Sequence, residues 1–154
     1  MKVTQQLAKH LLEVHFGGNW TTISLKQALL DVSLTQANKK FGNLNSIAVI
    51  TQHSSYYINA LLEVLKGNGL HAKDEYSFTL PKIETEEEWQ IYKEKLWGCA
   101  EQAAGLIEQL PDTILDKSFA NEKYGTYYRN IAGIIEHMHY HIGQIVIIKK
   151  LLDS

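Results

Sequence analysis

The chain has 154 residues, 45% of them hydrophobic and 21% charged, with a formal net charge of -2. That is one domain's worth of sequence with enough apolar side chains for a core, so residues 1–154 are expected to fold as a single domain. Lysines occur only singly or in isolated pairs such as Lys39-Lys40 and Lys149-Lys150, which excludes the basic surface that nucleic-acid binding requires.

Val3, Leu7, Leu11 and Val14 recur at three- and four-residue steps and predict a first helix over residues 2–15, stopped by Gly17-Gly18. Two shorter helices, over residues 24–31 and 33–40, are predicted next, each opened by a serine cap. A second long helix is predicted over residues 45–66, with Ile47, Ile50, Ser54, Tyr57, Leu61, Val64 and Leu65 inward, ending at Gly67-Asn68-Gly69. The run over residues 76–80 is the one weak strand-like alternation.

Thr85 followed by Glu88 is a capping-box signature for the third long helix. Its seam reads Trp89, Tyr92, Leu96, Cys99, Ala103, Leu106 and Leu110, and Pro111 closes it. The fourth long helix is predicted over residues 126–152, with Ile131, Ile134, Ile135, Met138, His141, Ile145, Ile148 and Leu152 inward. Four long helices with one apolar stripe each imply an all-α fold, an antiparallel four-helix bundle. The connections 17–44, 67–84 and 111–125 exceed what a helical hairpin needs and are long enough to cross the bundle end, so an up-down-up-down order is not assumed.

Seven histidines carry the chemistry. His137 and His141 stand one helical turn apart on one face, a spacing at which two imidazoles hold one metal ion without backbone distortion. His53 falls between Ile50 and Tyr57 on the inward stripe of the second long helix. Alone it reads as a core histidine bonded to a backbone carbonyl. Together with an inward pair at ligand spacing it reads as the third ligand of a site with open positions for water or substrate. His139 lies about 200° round the helix from His137 and is excluded from that set. It is expected in solvent or at a subunit contact. His10 is the reserve ligand, His15 is expected to help end the first helix, and His71 stands in a polar loop.

Other polar residues near this pattern have two readings each. Cys99 faces inward, and a small apolar core role is favoured over a nucleophile. Gln144, three residues after His141, is placed to orient a ligand or to bond across the bundle. Tyr124, Tyr127, Tyr128 and Arg129 either line a pocket mouth or pack on the connection before them. Glu136 is turned about 100° from His137. No carboxylate can be set beside the histidines, and no general base or other catalytic side chain is assigned.

The lone cysteine rules out an internal disulfide and suits a reducing compartment. Residues 1–6 lack the apolar run of a signal peptide. The apolar stretch 131–152 is broken by Glu136, three histidines, Gln144 and two lysines, so no membrane span is expected. The cytoplasm is the expected address.

Four helices, one inward histidine on the second and His-x3-His-x-Gly-Gln on the last resemble the DinB-like metal-binding superfamily. The likeness covers most of the chain and extends to the turn Phe16-Gly17-Gly18-Asn19-Trp20-Thr21 and the Ser24-Leu25 opening after it. The resemblance implies a DinB-like bundle whose divalent metal is held by His53, His137 and His141. It also implies a homodimer formed through bundle helices. Characterised enzymes of the superfamily are metal-dependent thiol transferases, isomerases or hydrolases. The basic residue common after the last histidine is Ile142 here, a departure that touches substrate contact rather than the metal. The expected function is thus a metal-dependent thiol S-transferase or hydrolase acting on a small-molecule thiol or electrophile. Zinc or nickel are the first choices of ion, with iron or manganese also compatible with imidazole. The rival from another class is a noncatalytic metal-binding dimer with a stress-related or interaction role.

Overall fold

The computed structural model describes residues 1–153. Among them are seven α-helices, two single-turn 3-10 helices and no strand. The four long helices are α1 (Val3–Phe16), α4 (Ile47–Leu65), α6 (Glu86–Gln109) and α7 (Tyr127–Asp153). Three short ones, α2 (Leu25–Ala28), α3 (Leu34–Asn38) and α5 (Asp74–Ser77), lie in the connections.

Local capping chemistry decides where most helices begin. Ser24, Ser33 and Thr85 each accept a hydrogen bond from the backbone N–H three residues on, and Gln27, Gln36 and Glu88 reach back in return. Ser46 caps α4 in the same way through the Val49 N–H. Glu86, Glu87 and Glu88 also place negative charge at the positive end of the α6 dipole.

The long helices form a ring in which α1 and α4 each pack on both α6 and α7. Side-chain pairings fix their directions. Thr4, at the start of α1, bonds through its N–H and its hydroxyl to the carboxylate of Asp112 just past the end of α6 (both 3.0 Å), so these helices are antiparallel. Tyr92 bonds Gln52 near the start of both α6 and α4, so that pair runs parallel. The meeting of His53 with His137 and His141, mid-helix, and of Tyr57 with His137 sets α4 antiparallel to α7. The order is up, down, down, up. A simple up-down-up-down order is thus absent and the α4–α6 pair is parallel, because the long 67–84 connection returns along α4 towards its start.

The buried faces differ from the predicted stripes in three details. Thr4, not Val3, is buried at the head of α1, because its backbone and hydroxyl are tied to Asp112; Val3 is 40% exposed. On α6 the buried set is Trp89, Lys93, Leu96, Trp97, Ala100, Ala103, Ala104 and Ile107, which leaves Tyr92, Cys99, Leu106 and Leu110 half-buried at its edge. On α7, Ile142 is core, while Ile134 and Leu152 are half-buried. The weak alternation over 76–80 is no strand. It covers the end of α5 and the loop after it, where the Ser77 hydroxyl donates back to the Asp74 carbonyl at 2.7 Å and closes a turn. None of the described helices is long and apolar enough to cross a membrane.

Candidate metal centre

Mid-helix positions of α4 and α7 face each other across the ring, and the three histidines meet there. His137 Nε2 lies 3.1 Å from His53 Nε2 and 2.9 Å from His141 Nε2. The ligand atoms of all three lie within 4.8 Å of one another. A zinc–nitrogen bond of about 2.0–2.1 Å at tetrahedral angles sets ligand nitrogens roughly 3.4 Å apart. The three imidazoles are close enough to hold a metal ion.

The outer nitrogens of two rings are held by acceptors. His141 Nδ1 lies 2.7 Å from Gln144 Oε1, while the Gln144 amide nitrogen donates to the Tyr140 hydroxyl at 3.1 Å. His53 Nδ1 lies 2.8 Å from Ser77 Oγ, whose own proton is committed to the Asp74 carbonyl. Both outer acceptors therefore take the Nδ1 proton, and each ring presents a bare Nε2 lone pair to the cluster. His137 differs: its Nδ1 is buried with no hydrogen-bond partner. If its proton sits on Nε2, it satisfies one facing lone pair and leaves the other unanswered. If it sits on Nδ1, three lone pairs converge on one point. Either way the chain alone leaves a buried nitrogen unpaired, at a cost of about 1–3 kcal/mol.

Electrostatics keep the rings neutral. Burial is the main cause in each; for His137 burial, then the neighbouring His141 and His53, together lower the pKa to about 4, with Asp74 opposing. His53 is lowered by burial and then by His141, with Asp74 opposing; His141 is lowered by burial, with the Gln144 contact opposing. Neutral imidazole is the ligand form.

The connection after α4 supplies the surroundings. Lys73 N–H donates to the Tyr56 hydroxyl at 2.9 Å, the Tyr57 hydroxyl donates to the Asp74 carboxylate, and Ser77 receives His53. Phe78 stacks on the His53 ring with centroids 4.0 Å apart. Burial first, and then the Asp74 carboxylate, together push the Tyr57 phenol up to about 12, with Ser77 opposing. Two cavities reach the histidines from different sides. One of about 490 Å³ touches His53 and His141 and is walled mainly by Leu44, Ile50, Phe78 and Ile148. The other, of about 360 Å³, touches His137.

The remaining predicted residues sort plainly. His10 and His71 are exposed and outside the cluster, and His71 Nε2 lies 2.9 Å from the Asn68 carbonyl. His15 lies in the last turn of α1, as expected, but it is turned inward. It is 1% exposed, and its Nδ1 donates to the Leu11 carbonyl at 2.7 Å. His139 is half-buried rather than free, with Nδ1 3.4 Å from the Thr21 hydroxyl at the turn after α1. Cys99 is half-buried, and burial raises its thiol pKa, as suits an inert residue. Gln144 orients His141 rather than bonding across the ring. Tyr124 and Arg129 line the His137 cavity, whereas Tyr127 packs edge-on against Phe119. Glu136 points to solvent beside Arg129.

Sequence reasoning missed Ser77, Phe78 and the Tyr57–Asp74 pair. No motif marks them. The available signal was length: a connection of residues 67–84 that must return along α4 passes His53 and sets its own side chains there. In comparisons with known proteins, no family model matches this chain, no curated protein matches it and no solved structure matches it.

Proposed function

We propose that the chain is a DinB-like four-helix bundle using His53, His137 and His141 to bind a divalent metal, zinc or nickel before iron or manganese, for thiol S-transfer or hydrolysis. The observation that carries this reading is the hydrogen-bond accounting: Ser77 and Gln144 fix two rings with Nε2 inward, and the third has no partner for Nδ1. A cation at the point of convergence answers the facing lone pairs, which no tautomer of the bare chain can do. The up-down-down-up order with long crossovers supports the bundle assignment.

A bound divalent ion would supply Lewis acidity, lowering the pKa of a bound water or thiol. The protein's own contribution is positioning. Ser77 and Gln144 hold the ring orientations, Phe78 covers one face of His53, and the 490 Å³ cavity, largely apolar but with Asn43, Asn45 and Gln144 in its wall, offers a seat for an electrophile beside His53 and His141. Tyr57, hydrogen-bonded to Asp74, stays protonated at neutral pH and walls the His137 side. The homodimer of this reading has an apolar face available where Tyr140 and Ile147 stand 65% and 60% exposed on α7.

The test loads purified protein with zinc or nickel, counts ions per chain by elemental analysis and screens low-molecular-weight thiols with electrophiles and hydrolysable esters. Conjugation or hydrolysis that vanishes in His137→Ala supports the enzyme. A silent screen at full occupancy leaves the noncatalytic metal-binding dimer in its place. Protein that retains no ion after mild purification and reloading removes both.

A further inference from the structure

Arg129 is the only arginine in the chain, and it lines the cavity that opens onto His137. Its backbone belongs to the first turn of α7, but its side chain runs forward along the helix. Nη1 lies 2.6 Å from the point where a Cβ on Gly133 would stand. Arg129, Gly133 and His137 follow at four-residue steps and share one face of α7. A glycine inside a helix is unfavourable; here it gives the guanidinium a place to lie. The cationic head then stands about 6 Å along the axis from the level of His137, four residues at 1.5 Å each.

Tyr57, Tyr124, Asn130 and Ile134 line it as well, and the Asn130 amide N–H groups are committed to the Tyr124 and Thr126 carbonyls. Arg129 has a contact with Glu136, but it is long at 3.6 Å and both side chains are mostly exposed, so the planar N–H fork remains available. The Asp74 carboxylate behind Tyr57 is engaged by the Tyr57 hydroxyl. The cavity on the other side, against His53 and His141, has no arginine or lysine among its lining residues. The two approaches to the histidines therefore differ in charge.

We infer that the His137 cavity seats a carboxylate-bearing thiol, with the carboxylate on the guanidinium of Arg129 and the sulfur facing the three imidazoles. This rests on the metal-site reading above and adds to it the class of one substrate and the residue that selects it. The planar fork of arginine matches a carboxylate in a way that a point charge does not.

Cobalt(II)-loaded protein is titrated with 3-mercaptopropionate and, separately, with 2-mercaptoethanol, following the thiolate-to-cobalt charge-transfer absorbance. The acid is expected to bind roughly fivefold more tightly, the worth of one exposed charge pair. Arg129→Gln erases that gap and Arg129→Lys keeps part of it. Gly133→Ala, whose new methyl displaces the guanidinium and leaves the helix intact, shrinks it. Equal affinities in the unmodified protein, or a gap that survives Arg129→Gln and so comes from chelation at the ion, overturn the inference while the metal site stands. Absence of any cobalt spectrum sinks both.

Discussion

Two buried-side histidines, His15 and His137, have nearly the same depressed basicity and differ in everything else. Each is lowered to about 4, His15 by burial and His137 by burial together with the neighbouring His141 and His53. His15 is 1% exposed on α1, and its Nδ1 proton is answered by the Leu11 carbonyl one turn back. His137 is half-buried on α7 among two other imidazoles, and its Nδ1 has no partner. A lowered pKa thus reports only that charge is unwelcome. Whether each ring nitrogen is answered within the chain separates a packing histidine from a candidate ligand.

The strongest way to break this contrast is to remove each ring in turn. His137→Ala is expected to lower metal affinity by more than the ~100-fold that loss of an outer partner costs, and His53→Ala and His141→Ala should do the same. His15→Leu should leave the ion count at the wild-type value, since His15 is no part of the cluster. Elemental analysis after dialysis against a weak chelator reads all four. Loss of metal in His15→Leu would mean that the site depends on α1 packing rather than on its own ligands.

Acid sharpens the contrast from the other side. The folded-state pKa of His15, about 4, lies below the ordinary 6.5. On acidification the unfolded chain takes up this proton first, so the stability contribution is full above pH 6.5 and is lost as pH falls towards 4. The shift corresponds to about 3 kcal/mol. Urea unfolding of metal-free protein at pH 7 and pH 4 should therefore show His15→Leu gaining on wild type by about that amount over the interval. The substitution leaves no stranded acceptor, because the Leu11 carbonyl still receives the backbone N–H of residue 15 within the helix. A constant difference across pH would show that His15 is protonated in the folded protein.

The same accounting explains what could be read from sequence. Ser24, Ser33 and Thr85 announced their helices because a cap and its partner three residues on are local chemistry. The His137–His141 pair was legible for the same reason, being one turn of one helix. His53 was placed by its three- and four-residue steps to Ile50 and Tyr57. Stripe phase was harder. A helix wedged between two neighbours, as α6 is between α1 and α4, buries a face broader than one narrow seam, so Trp97, Ala100 and Ile107 displaced Cys99 and Leu110. The direction of α6 and the approach of Ser77 to His53 were not legible, since both arise from a return path encoded only as the length of residues 67–84.

Outer partners come next in size. Ser77→Ala and Gln144→Leu each free the Nδ1 of a ring, so its tautomer and tilt are no longer fixed, and metal affinity should fall ten- to a hundredfold. Competition titration with a chromophoric chelator measures this. The Ser77 variant carries a second message. It also removes the bond that closes α5 onto the Asp74 carbonyl, so proteolysis within residues 67–84 should become faster in this variant and not in the glutamine one.

The smallest effect is expected one bond further out. The Tyr140 hydroxyl accepts from the Gln144 amide at 3.1 Å, but Tyr140 is 65% exposed, so water can replace it when the oxygen is removed. Tyr140→Phe should change metal affinity by no more than about twofold, since exchanging one neutral hydrogen bond for a bond to water is nearly free. The hierarchy His137, then Gln144, then Tyr140 is thus a graded test of how deeply the site is held. If Tyr140→Phe cost as much as Gln144→Leu, the amide would need both ends fixed to orient His141. The tyrosine would then be buried in the working protein, as a partner covering that face of α7 would make it.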